Sequence, residues 1–299
     1  MRNLIKYLSS KSNFTLKIIR LGINLRNRVI PLEIRLKQRF KRKLGYTLNL
    51  KHPKTFNEKI QWLKLYDKTD LHTICADKYA VRSHIQNKIG AEYLVPLILQ
   101  TTDVNDLKPS NLPNYPVIIK TNHDSSGGIF VWDKQKINWP QLRKDFNRRL
   151  SQNYDYGKGE WQYKDIPPCI IIEKLLIDEH GNIPSDYKLH CFNGKLAFTQ
   201  VDMDRSTQHK RNLYDVDWNF MNCTWAYQNG NSVPKPKVYD EMKRVAEILA
   251  GDFKYVRADF YIINDKIFFG ELTFHSDSGN GLFSPPSWDN KIGEMLNLN

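Results

Sequence analysis

VRADFYIINDKIFFGELTF, Val256 to Phe274, reads as a β-hairpin in which each arm carries one carboxylate. Val256, Ala258, Phe260 and Ile262 alternate with Arg257, Asp259 and Tyr261, and IFFGELTF returns after a short polar turn with the same period-2 habit. With Asn264-Asp265-Lys266 as a three-residue loop, Ile263 pairs with Ile267, Asp259 falls opposite Glu271, and Arg257 falls opposite Thr273. Directly opposed residues have Cβ atoms roughly 4.5–5.5 Å apart. Two carboxylates that close repel unless a cation lies between them. A hard divalent ion such as Mg2+, held by one or two carboxylates plus phosphate oxygens, would satisfy both. The plainer alternative is one carboxylate on a wet sheet face and the other in a rim salt bridge.

Length and composition bound the rest. A chain of 299 residues buries a substantial core and divides into two or three subdomains. It contains no run of about 18 apolar residues, the length a bilayer-spanning helix needs. MRNLIKYLSSKSNF lacks the apolar core and small-residue cleavage site of a secretory signal. The four cysteines are far apart, with no Cys-x-x-Cys pair, and read as reduced, buried thiols of a cytosolic protein. Residues 1–50 hold thirteen basic residues against the single acid Glu33, so nearly all of the net charge of +13 resides there. Interleaved with Leu16, Ile18, Ile19, Leu21, Leu32, Ile34, Leu36 and Phe40, these cations fit short basic amphipathic helices broken by Gly22 and Pro31. Such helices suit an anionic membrane surface or pack as a solvated face on the body. Nucleic acid is disfavoured, since no aromatic stacking platform or recognised motif accompanies the charge.

Along the chain, Thr55-Phe56-Asn57-Glu58 is a capping box opening a helix through Tyr66. A second helix is expected over Asp70 to Ile89, carrying Ala76-Asp77-Lys78-Tyr79, and EYLVPLIL (92–99) reads as a strand. In YPVIIKTNHDSSGGIFVW, a strand delivers Lys120 into Ser125-Ser126-Gly127-Gly128 and a second strand follows. Glycines let backbone N–H groups approach phosphate oxygens, and the lysine supplies charge, although Ser-Gly-Gly is also an ordinary hairpin turn. CIIIEKLL (169–176) is a buried strand running into Glu173-Lys174. DYKLHCF and KLAFTQV form a hairpin around a type I′ Asn193-Gly194 turn, with Tyr187, Leu189 and Cys191 on one face and Asp186, Lys188 and His190 on the other. After DMDRSTQHKRNLYDVDW a loop leads to a helix over Tyr239–Ala250 with an apolar stripe.

Together these pieces resemble an ATP-grasp enzyme of the teichuronopeptide-synthesis branch found in bacterial polysaccharide gene clusters. The resemblance runs from about Gly45 to the C-terminus, through GYTLNLKHPKTFNEKIQWLKLYD, ADKYAVR, YPVIIKTNHDSSGG, IIIEKLL, DYKLHCFNGK, VRADFY and FGELTF. It implies an α+β fold in which two subdomains clamp ATP. The expected units are a basic helical segment (1–46), an N-terminal α/β subdomain (47–115), a first grasp subdomain (116–172) and a second with the metal hairpin (173–299). It further implies that Lys120, Lys78 and the amides of Ser125, Ser126, Gly127 and Gly128 contact the phosphates. Glu173, Lys174, Leu175 and Leu176 would be the hinge that reads the adenine edge, and Lys188 a further phosphate contact. Asp259 and Glu271 would hold Mg2+, and Arg257 would stabilise charge on the acyl group. Thr273 stands where the family's third ligand is usually an Asn, so Asp277 or Asn280 is a candidate to complete that set.

The implied chemistry is amide formation from a carboxylate and an amine through an acyl phosphate. The acid would be a uronic acid of a surface glycan or lipid-linked intermediate, the amine an amino acid, and the location cytoplasmic with peripheral attachment to the membrane. Three other readings stay open: a non-enzymatic membrane-binding module, which would need no Mg2+·ATP affinity, and two enzymes. One is a glycan kinase on the same scaffold. The other is a glycosyltransferase using Asp202-Met203-Asp204 as an Asp-x-Asp metal motif.

Overall fold

The computed structural model describes residues 29–125, 127–152, 158–204 and 208–299. The expectations for residues 1–28 and for Ser126 lie outside the described residues. Helix α1 (Leu32–Leu44) turns Leu36 and Phe40 inward against Leu48 and Leu50, and Gly45 ends it at a φ of 84°. Lys37, Lys41, Arg42 and Lys43 remain exposed on its other side. This part of the basic segment is therefore docked on the body. Among the described residues no helix is long and apolar enough to cross a membrane.

Helix α2 (Phe56–Tyr66) begins as its sequence requires. Thr55 Oγ1 accepts from Glu58 N at 3.1 Å, and the Glu58 carboxylate accepts from Thr55 N at 3.1 Å. The expected long helix over 70–89 is instead two, α3 (Asp70–Ala76) and α4 (Val81–Lys88). The break has a local cause: the Asp77 carboxylate takes the backbone N–H groups of Tyr79 and Ala80, which restarts the chain in a new direction. Residues 92–96 are likewise not strand; β1 is Leu97–Thr101, preceded by a 3-10 turn over Ala91–Tyr93.

Two antiparallel sheets follow. The first has the order β1-β4-β2-β3, with β2 Val117–Thr121, β3 Ile129–Val131 and β4 Ile170–Lys174. Helix α5 (Trp139–Leu150) covers its apolar side, burying Leu142 and Phe146 with Val117, Ile119, Ile170 and Ile172. The second has the order β10-β9-β5-β6-β7, with β5 Asp186–Phe192, β6 Lys195–Met203, β7 Lys210–Tyr214, β9 Tyr255–Ile263 and β10 Lys266–Thr273. Asn193 and Gly194 both have positive φ, 51° and 79°, as the tight turn between β5 and β6 demands.

One face of this five-stranded sheet is apolar. Leu189, Cys191, Val256, Ala258 and Phe260 meet Met242, Val245, Ala246 and Leu249 of α6 (Tyr239–Ala250), an amphipathic helix that lies where its periodicity indicates. The opposite face is divided. Near the β5–β6 turn, Phe56 and Ile60 of α2 pack on Phe192, Phe198 and Tyr255, with Ile292 of α7 (Ser287–Met295). The remainder of that face carries charge. A two-stranded ribbon, β8 (Thr224–Trp225) with β11 (Phe283–Ser284), closes one side. The four cysteines are buried free thiols.

Candidate active site

The hairpin places its carboxylates opposite one another by a route the sequence does not announce. The turn has two residues, Asn264 and Asp265, both with positive φ (50° and 56°), so Ile263 pairs with Lys266 and not with Ile267. Continued unbroken, that register would set Asp259 against Gly270 and turn Glu271 to the apolar face. A β-bulge between Phe269 and Glu271 shifts the strand by one residue and restores Asp259 opposite Glu271 and Arg257 opposite Thr273. Gly270 suits the bulge: a Cβ there would stand 3.1 Å from Asp259 O and 3.1 Å from the Tyr261 ring.

Arg257 lies between the two carboxylates. Its Nε and Nη2 reach Asp259 Oδ1 at 2.6 Å and Oδ2 at 2.7 Å; Nη2 also lies 3.3 Å from Glu271 Oε1 and donates to Thr273 Oγ1 at 3.0 Å. Lys188, from β5, adds a bond to Asp259 Oδ2 at 3.0 Å and lies 3.5 Å from Asp186. Burial lowers the Arg257 guanidinium, but Asp259 and Glu271 more than offset this and hold it above its usual value. Burial raises the Asp259 carboxyl against the pull of Arg257 and Lys188. Two carboxylates thus converge on a single cationic nitrogen, and Glu271, 38% exposed, faces open space.

That donor set fits a Mg2+ whose other ligands are phosphate oxygens and water. Among the described residues no group of three or more His, Cys, Asp or Glu is arranged to hold a metal by itself. The Asp277 carboxylate binds Arg211 Nη1 at 2.7 Å, and Asn280 donates from Nδ2 to Ser278 O.

The first sheet carries cations of its own. Lys120, on β2, pairs with Glu173 Oε2 at 2.7 Å, and Arg82, from α4, takes Glu173 Oε1 at 3.0 Å. Lys78, in the break between α3 and α4, donates to Asp124 O. Burial lowers its ammonium, Glu271 raises it and Lys120 lowers it further, so this half-buried lysine feels both sheets. Ser125 and Gly127 are exposed and Gly128 half-buried at the strand end. The N–H groups of Lys174 and Leu175 are bonded to Pro96 O and Pro116 O, so neither amide is available to a nucleotide. The Lys174 ammonium lies over the Tyr115 ring, Leu175 is buried and Leu176 is half-buried beside it.

Several residues of the charged face had no signal in the sequence. β7, to which the sequence assigned no element, brings Arg211 against Asp202 (2.8 Å) and near the rings of Trp225 and Tyr227 (5.2 and 4.8 Å). Burial raises the Asp202 carboxyl, but His209, Arg211 and Lys188 together hold it far below the usual range. Asp202 is thus held in a buried ion pair with Arg211. His190, fully buried, bonds Tyr255 OH at 3.0 Å and Gln200 Oε1 at 3.1 Å; burial and Arg257 keep it neutral. His123 bonds Gln152 O at 3.0 Å.

Two α+β lobes, one offering lysines and the other paired carboxylates, define the ATP-grasp class. The chain belongs to the TupA-like ATP-grasp family of enzymes, whose family model matches residues 58–297. Solved structures similar to it include D-alanine–D-alanine ligase from Bacillus anthracis, at 17% identity over 67% of this chain and 57% of that one, with a TM-score of 0.42. D-alanine–D-alanine ligase from Helicobacter pylori is similar at 15% identity over 81% of this chain and 69% of that one, with a TM-score of 0.42. An L-amino acid ligase from Bacillus licheniformis is similar at 12% identity over 78% and 49%, also with a TM-score of 0.42. The chain spans a little over half the length of the Bacillus anthracis ligase. No curated protein sequence matches it.

Proposed function

We propose that this protein is an ATP-dependent carboxylate–amine ligase that joins an amino acid to a uronic acid of a surface glycan or its lipid-linked precursor. One observation carries the reading: the hairpin sets Asp259 opposite Glu271 on one sheet, and β2 carries Lys120 into the Ser-Gly segment on the other, within the stretch that matches the ATP-grasp family model. Lys78 and Lys120 would bind the β- and γ-phosphates. Asp259 and Glu271, with Thr273 beside them, would hold Mg2+, which when bound neutralises phosphoryl charge. A carboxylate oxygen of the acid attacks the γ-phosphorus, ADP departs, and an acyl phosphate remains. The amine nitrogen then attacks the acyl carbon; phosphate leaves and accepts the nitrogen's proton. Arg257, fixed by Asp259, supplies positive charge at the oxyanion, and the facing sheets exclude water from the acyl phosphate.

The exposed cations of α1, with those of residues 1–28, suit a peripheral site on an anionic membrane. Removing residues 1–28 leaves α1 docked and is the informative deletion; unchanged binding to phosphatidylglycerol vesicles would end that part of the proposal.

The ligase itself is tested by calorimetry of Mg2+·ATP with wild type, Lys120→Ala and Asp259→Asn, followed by trapping with hydroxylamine. Glucuronate and related acids should yield a hydroxamate and ADP. Sugar phosphorylation without hydroxamate would instead establish a kinase, and absence of ATP binding would remove both.

A further inference from the structure

Helix α2 carries a polar stripe where a core face belongs. Asn57, Gln61 and Lys64 fall on one side of the helix by their spacing, and they are 0%, 1% and 0% exposed. Burying amides and an ammonium is unfavourable unless each is hydrogen-bonded, and apolar residues of similar size would pack such a face at less cost. All three donate to one short segment just beyond the hairpin. Asn57 Nδ2 reaches Gly281 O at 2.8 Å and Gly281 N returns to Asn57 Oδ1 at 3.2 Å. Gln61 Nε2 reaches Ser278 O at 2.9 Å and Gly279 O at 2.7 Å, which fixes the orientation of its amide. Lys64 Nζ reaches Ser278 O at 2.8 Å and Ser278 Oγ at 2.7 Å.

The segment they hold is unusual. Asp277, Ser278 and Gly279 have φ values of 45°, 55° and 58°, three left-handed residues in succession. For L-residues this conformation costs about 1–2 kcal/mol each, so external bonds must stabilise it. The turn in its own right meets the charged face of the second sheet. Ser276 Oγ accepts from Tyr255 OH at 2.6 Å and lies 3.5 Å from Arg257 Nη1, while Asp277 binds Arg211.

We propose that Asn57, Gln61 and Lys64 are positioning residues: from α2 they hold the 276–281 segment, with its left-handed turn at 277–279, which sets Ser276 against Arg257 and Asp277 against Arg211 and so shapes the acid's subsite. This rests on the ligase reading above. A merely structural stripe would be served as well by leucine and methionine. Carbonyl oxygens presented by a left-handed turn require donors.

The test uses Gln61→Leu and Lys64→Met in the full chain. Calorimetry gives the Mg2+·ATP affinity, the hydroxylamine assay gives KM and kcat for an accepted acid, and crystal structures of the variants give the turn. Nucleotide affinity is expected within twofold of wild type, kcat/KM for the acid should fall at least tenfold, and residues 277–279 should leave positive φ. An unchanged turn, or acid kinetics within twofold of wild type in both variants, overturns the proposal. Absence of ATP binding by wild type would refute the ligase reading instead, and the turn in the variant crystals would then still decide the positioning role. Should both variants fail to fold, Gly279→Ala approaches from the other side: its Cβ would stand 2.7 Å from Gln61 Nε2 and 3.1 Å from Asn57 O, displacing the turn while α2 keeps its donors. The same acid-specific loss is expected of it, and acid kinetics within twofold of wild type would likewise overturn the proposal.

Discussion

The two walls of the cleft hold their charges in different ways. On the first sheet the cations are partly wet: the Lys120 and Arg82 side chains are 18% and 17% exposed, and both share Glu173. On the second, Lys188, Asp259, Arg211 and Asp202 are 3–5% exposed, and each carboxylate is contacted by two or more charged or polar groups. A wet pair can exchange its partner for a phosphate at little cost. A buried lattice cannot lose one member without stranding another. The first wall is thus built to receive charge, the second to present it in a fixed arrangement.

Substitutions should separate the walls, and the largest effect falls on the second. Asp259→Ala removes the bidentate partner of Arg257 and the 3.0 Å partner of Lys188. Breaking a buried pair from one side costs about 3–5 kcal/mol, read as a lower urea midpoint at unchanged m-value. If Lys120→Ala destabilised the protein equally, the distinction between the walls would collapse.

Next comes a pH dependence that originates behind the second wall. Burial pushes the Lys64 ammonium down to about 7, against the pull of Glu160 and reinforced by Arg39 and Lys158. In the unfolded chain it titrates near its ordinary 10.5. Between these values the unfolded state binds more protons, so stability rises with pH across that window, and below pH 7 the full penalty is present. Lys64 can contribute at most about 1.4 kcal/mol per pH unit. Denaturation of wild type and Lys64→Met from pH 6.5 to 9.5 should show that slope only in wild type; equal slopes would place the titration elsewhere.

What could be read in the chain, and what could not, follows from the same contrast. The hairpin was legible because a lone carboxylate in each apolar arm stands out against alternation, and α6 because its stripe has the helical period. The opposition of Asp259 and Glu271 was reached through a three-residue turn, whereas the protein uses a two-residue turn plus a bulge; each shifts the register by one, and only the sum was visible. β7 was hidden because Arg211 and Asn212 are buried by polar partners, so the strand shows no apolar rhythm. Gln61 and Lys64 looked like the solvent side of an amphipathic helix. Nothing local distinguishes a buried donor from a wet one. The break at Asp77 was equally silent, since its cause is a side chain capping two amides farther on.

The bulge gives a prediction of intermediate size. Deleting Gly270 removes the bulge residue: with the two-residue turn kept, the regular register places Glu271 directly after Phe269 and so still opposite Asp259. The expected loss of stability is about 1–2 kcal/mol, within the usual range for single changes, and Mg2+·ATP affinity should stay within about threefold of wild type. A loss of tenfold or more would show that the bulge itself, and not only the opposition of Asp259 and Glu271, shapes the site.

The smallest change in stability is expected on the first wall. Lys120→Ala leaves Glu173 paired with Arg82 at 3.0 Å, so no carboxylate is stranded. The lost pair is partly solvated, and partly exposed ion pairs contribute about 1 kcal/mol or less. Its effect on nucleotide affinity should nonetheless be tenfold or more, because no other side chain on β2 presents an ammonium at the end of the Ser-Gly segment. Adding Arg82→Ala should reverse the pattern: Glu173, 6% exposed, then keeps neither cation, and stability should drop by more than the two single changes combined. An additive double variant would mean that Glu173 has found other partners, and the first wall would then be as interlocked as the second.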